Sequence, residues 1–322
     1  MYKDKIKLFL PYLFYFVCFL ASCNKKPVEP LPKQNDQTAS AATDASIEDI
    51  NGFINYKIGG LSNATARIAA YNLPCGVIKI DSIKTGNKKI YSFQYGNQTL
   101  CGYKRKSGQI NFQLINGNKF DSIGSKYTIE FINYKVEALA NGDNIILNGK
   151  LIITNLQGGF IWQAVYQSKV IQHAIRGKLM ITYGNGSIRE REYFQKRTWS
   201  STSGWSGLKY SVEGDTNIYN IKVLEIGKTY EGNYSYQTQL LKIFTWSNCG
   251  TDFYGPYILK VGEAKMNINI PNVTPSYFKI EAGYFRDPNL QTDFILSNDC
   301  LSNAYKITTQ VGTTTNTQYQ YY

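Results

Sequence analysis

A chain of 322 residues that contains one histidine, His173, has little of the usual equipment for acid–base catalysis. That residue lies in VIQHAIRG, and no Gly-x-Ser-x-Gly elbow occurs anywhere, so a nucleophile–histidine–acid relay lacks its framework. Cys-x-x-Cys is also missing, and a lone imidazole without paired thiols argues against zinc. With no phosphate loop, dinucleotide fingerprint or calcium loop, neither a cofactor nor a metal is expected, and no catalytic residue is assigned. Charged residues are scarce at 18%, which disfavours helices rich in Glu and Lys. In their place stand 26 tyrosines and an aromatic content of 14%, the composition of strands.

The N-terminus carries the clearest functional signal. Residues 2–7, YKDKIK, are basic, and Leu8 to Ala21, LFLPYLFYFVCFLA, is an apolar run shorter than the ~20 residues of a comfortable membrane span. It ends in Leu20-Ala21-Ser22-Cys23, which resembles the lipobox of bacterial lipoproteins. In that class a diacylglycerol is attached to the cysteine thiol and the leader is cut just before it. Small Ala21 and Ser22 leave the scissile bond accessible, and Cys23 is the lipidation candidate. Two or more acyl chains, at about 0.8 kcal/mol per buried methylene, make such an anchor stable.

The segment that follows, NKKPVEPLPKQNDQTASAATDAS, holds Pro27, Pro30 and Pro32 and almost no large apolar residue. It reads as a flexible tether reaching roughly 25 Å. The expected organisation is therefore signal peptide over 1–22, tether over 23–46 and body over 47–322, with a candidate sub-boundary in the polar stretch 200–204. The net charge of +12 falls to +10 without Lys3, Asp4, Lys5 and Lys7. Such a surplus is read as an ordinary basic surface, and an envelope address leaves no nucleic-acid partner.

The body opens with a short helix candidate, SIEDINGFI, with Ser46 as its cap. Beyond it, segments such as YTIEFINYKVEAL, NIILNGKLIITN and KLMITYGNGSIREREYF alternate apolar and polar residues at period 2. Turn pairs punctuate them: Gly86-Asn87, Asn116-Gly117, Asn141-Gly142, Asn148-Gly149 and Gly184-Asn185-Gly186. This predicts an all-β body, an antiparallel meander forming a sandwich or an incomplete barrel. Four cysteines remain in it, Cys75, Cys101, Cys249 and Cys300. Of their three pairings, the sequential one fits best because each pair brackets strand–turn–strand material. The pentapeptide FINYK occurs at Phe53–Lys57 and again at Phe131–Lys135, a repeat that chance explains.

The order of KRKSGQINFQ, YTIEFINYKVEA, LNGKLIITN, KLMITYGNGSIREREYFQKRTW and CGTDFYGPYILKVGEAKMNI resembles that of lipoproteins of the Bacteroidota with no assigned activity. The resemblance implies a lipid-anchored β protein at the outer membrane, periplasmic or surface-facing, and brings no catalytic residue with it. It departs from the pattern after the last cysteine, where Leu301 replaces a Gly-rich turn and an Asp.

Among candidate features, Glu190 and Glu192 alternate with Arg189 and Arg191 and read as a solvated charge ladder. Lys104-Arg105-Lys106, with Trp199, Trp205 and Trp246, raises a glycan or protein contact, although core packing is the plainer reading of each aromatic. The function expected is a non-enzymatic binding or structural surface on a lipid anchor. The alternatives are a glycan hydrolase with dispersed carboxylates and a carrier of an apolar molecule.

Overall fold

The computed structural model describes residues 34–59, 73–85, 88–97, 100–101, 104–138, 144–214, 222–228, 235–250, 257–268, 275–286, 293–297, 300, 302 and 304–321. The expected signal peptide, Cys23 and the tether as far as residue 33 lie outside them. Residues 34–322 form one compact unit, so the stretch 200–204 falls inside it.

The first element corrects the sequence reading. Helix α1 runs Gln34–Phe53 and continues as a π-helical turn over Ile54–Ile58, so residues 34–46 are helical where a coil was expected. Ser46 is no cap: it sits in the helix interior, buried, and its hydroxyl donates to the Ala42 carbonyl at 2.8 Å. Residues 34–46 looked like a linker because the side chains they bury, Ala42, Thr43 and Ser46, are small. Only Ile47, Ile50, Phe53 and Ile54 supply an apolar stripe at helical spacing. Among the described residues no helix is long and apolar enough to cross a membrane.

The rest is antiparallel β-structure, as the alternation predicts. The strands are β1 Val77–Thr85, β2 Lys88–Tyr95, β3 Leu100–Cys101, β4 Lys104–Asn116, β5 Lys126–Ala138, β6 Asn144–Asn155, β7 Ile171–Tyr183 and β8 Ile188–Ser201. They continue with β9 Leu208–Gly214, β10 Val223–Lys228, β11 Ser235–Asn248, β12 Tyr257–Ile268, β13 Ser276–Phe285, β14 Phe294–Leu296, β15 Ala304–Val311 and β16 Thr314–Tyr321. All belong to one sheet that follows chain order closely. The departures are local: β3 pairs β4, β14 pairs β13, and β9 and β10 lie end to end between β8 and β11. A short helix, α2 (Trp162–Tyr166), lies in the β6–β7 connection.

Period 2 puts Ile145, Leu147, Leu151 and Ile153 of β6 on one buried face with Ile171, Ile175, Leu179 and Ile181 of β7. The helix packs against that face. Phe53 meets Tyr91, Phe93 and Phe112 edge-on at 5.3–5.5 Å, and Ile47, Ile50 and Ile54 join the same core. Each such side chain contributes about 1.5–3 kcal/mol by leaving water. Beneath the helix the face is thinned at Gly149 and Gly177, on adjacent strands. At Gly177 (φ +144°) a Cβ would sit 2.2 Å from the Lys150 carbonyl oxygen, so only glycine lets β6 and β7 approach this closely.

Disulfides Cys75–Cys101 and Cys249–Cys300 fasten the two ends of the sheet, with Cα separations of 5.6 and 5.4 Å. Their loops of 26 and 51 residues contribute about 3.5 and 4 kcal/mol on the chain-entropy account.

Candidate functional site

The chemistry of the described residues concentrates where α1 meets β4, β5 and β8. Strand β8 directs Arg189, Arg191, Tyr193, Gln195, Arg197 and Trp199 inward, and all six are buried. Its opposite face carries Glu190 and Glu192, which ion-pair with Lys178 of β7 at 3.1 and 3.8 Å. The charge ladder expected here is thus split by the pleat: the glutamates are solvated, and the arginines belong to the interior.

Each inward cation meets a carboxylate or an aromatic ring. Arg197, 1% exposed, donates to Asp44, to Glu48 at 2.7 Å and to Gln195 at 3.2 Å. Asp44 and Glu48 are one helical turn apart on α1, so a single guanidinium bridges both. Lys106 of β4 pairs with Asp49 at 3.2 Å. Arg191 lies 3.5 Å from Glu225 of β10, whose other oxygen accepts from Tyr236 and Thr238 at 3.4 Å each. Arg189 stacks over Tyr183 and Tyr236 at 5.9 and 5.6 Å. Polar bonds complete the seating of α1, as the Tyr127 hydroxyl donates to Asn51 at 2.9 Å and the backbone N–H of Trp162 to Asn55 at 3.2 Å.

Burial pushes the Glu48 and Asp49 carboxyls above their ordinary range, against the pull of Arg197 and Lys106. Burial also opposes the charge on Arg197, but Asp44 and Glu48 outweigh it and raise its pKa. Asp44 and Glu48 lie on one helix and are bonded by one arginine, which fits them to holding α1 in place and not to the pair from distant strands that a hydrolase would use. Lys104-Arg105-Lys106 is divided by its strand: Lys106 turns inward to Asp49 and Arg105 stays exposed, so the triplet forms no continuous basic patch.

His173 on β7 is 6% exposed, packed edge-on against Trp199 at 4.8 Å and Tyr127 at 6.3 Å. Burial, helped by the charge of Arg197, depresses its pKa to about 3, so the ring is neutral at ordinary pH. Beside it, Asn51, Asn55, Tyr127 and Asn155 line a small cavity with room for about one water molecule.

No protein-family model, curated protein or solved structure matches this chain. Trp199 and Trp205, 1% and 8% exposed, are core residues, the latter donating to the Tyr166 hydroxyl at 2.9 Å. Trp246 is half-buried and ends a cross-strand row: Trp199 on β8 faces Tyr210 on β9, which stacks on Trp246 of β11 at 4.7 Å and 5°. Among the described residues no group of three or more His, Cys, Asp or Glu side chains could hold a metal ion. Period 2 in REREYFQKR puts the arginines on one strand face but does not say which face is buried; of their acidic partners only Asp44 lies in the segment that reads as linker.

Proposed function

We propose that this β-rich, disulfide-bonded chain is a lipid-anchored protein of the bacterial cell envelope, attached through acyl chains on Cys23, whose body acts as a binding or structural module. The observation that carries the reading is Leu20-Ala21-Ser22-Cys23 at the end of an apolar run of signal-peptide length. Support for a module rather than a catalyst comes from the interior carboxylates, since Glu48, Asp49 and Glu225 are each matched to a buried cation. Ten residues, 24–33, separate Cys23 from the start of α1, and on the coil estimate that gives roughly 25 Å for the whole expected tether ten residues reach about 17 Å. The body would therefore be held closer to the bilayer than a tether of some twenty residues allows.

Metabolic labelling with an alkyne fatty acid, followed by cell fractionation, tests the anchor. The native chain should be labelled and membrane-bound, and Cys23→Ala unlabelled. Normal labelling, mass and membrane retention of Cys23→Ala would refute it. For the body, a glycan array with product analysis separates binder from enzyme, and turnover of any glycan would overturn the non-enzymatic reading.

A further inference from the structure

Among the described residues, the two outermost strands of the sheet, β1 and β16, are finished differently. Strand β1 carries Lys79 and Lys84, loses register with β2 between Val77 and Lys79, and is followed in β2 by Lys88 and Lys89. Lysines and a bulge are the devices that keep an edge from recruiting another strand. Strand β16, TTNTQYQY, has none of them: no charge, no proline, no glycine. It pairs with β15 at all eight positions, from Val311↔Thr314 to Ala304↔Tyr321, without a register shift. Thr314, Thr315, Thr317 and Gln318 are exposed.

From this contrast we infer that the open edge of β16 pairs antiparallel with β16 of a second copy, joining two sheets across a two-fold axis. Charge selects that occupant. Two β1 edges would force the charges of Lys79, Asp81 and Lys84 into a seam, whereas two β16 edges set neutral Thr, Asn and Gln against one another, with hydrogen-bonding side chains on both strands. The assembly also closes: the strands left at its two ends are both β1, so growth stops at the dimer.

Single cysteines at Thr315, Thr317 or Gln318, and at Lys84 as the contrasting edge, test the pairing in the full chain under mild oxidation. A covalent dimer is expected from the β16 series, strongest at one position near the axis, and none from Lys84→Cys. Adding Thr314→Lys to the best cross-linking variant places like charges at the seam twice over, by symmetry, and should cut its yield about tenfold. Circular dichroism of that variant should match the parent. Sedimentation that finds only monomer at the highest soluble concentration, equal cross-linking at β1, or a yield indifferent to the added lysine would each overturn the inference.

Discussion

His173 offers a prediction whose sign and size follow from its surroundings. Its folded pKa of about 3 lies below the ordinary value of 6.5, because the ring is buried against Trp199 and Tyr127. Below pH 6.5 the unfolded chain takes up a proton that the folded chain refuses. Stability from this group is therefore complete above pH 6.5 and is lost as pH falls toward 3. At 1.36 kcal/mol per pH unit, the loss between pH 7 and pH 5 comes to about 2 kcal/mol. Glu48 and Asp49, raised by burial, act in the opposite sense, but they are common to wild type and variant and cancel in the comparison. Urea unfolding of wild type and His173→Leu at both pH values should show the variant losing about 2 kcal/mol less on acidification, whatever its cost at pH 7. Because the chain has one histidine, its imidazole resonance is unambiguous in a tag-free sample and should not titrate between pH 8 and 5. A midpoint near 6.5, or equal acid losses in the two proteins, would refute the buried placement.

Other substitutions probe the same seam. Arg197→Met strands Glu48 and Asp44 and should cost about 3 kcal/mol in urea unfolding, while adding Glu48→Leu should recover a large part of it. Gly177→Ala drives a Cβ into the Lys150 carbonyl and should cost more than about 2 kcal/mol, against about 1 kcal/mol for Gly186→Ala, whose Cβ meets open space.

The strands were legible because alternation is local: KLMITYGNGSIREREYF contains both arms and the turn of the β7–β8 hairpin. The sequential cysteine pairing was legible for a similar reason, since each pair spans neighbouring strands. What escaped was tertiary. The FINYK at Phe53 closes α1 and enters its π-helical turn, while the FINYK at Phe131 is part of β5, so identical residues take opposite structures from their surroundings. The second half of the helix was legible in SIEDINGFI, where Ile47, Ile50, Phe53 and Ile54 keep helical spacing. Its first half was hidden by its partners. Thr43 and Asp44 look like linker residues until Tyr193 and Arg197, brought in from a strand some 150 positions away, supply their bonds.

Helix α1 belongs to the body, locked into the sheet by buried ion pairs. Amide hydrogen exchange over residues 42–56 of the full chain tests it most directly. Protection there should match that of β6 and β7 and disappear with them in a single unfolding step. Exchange of these amides at the rate of an unstructured chain, with β6 and β7 still protected, would contradict it.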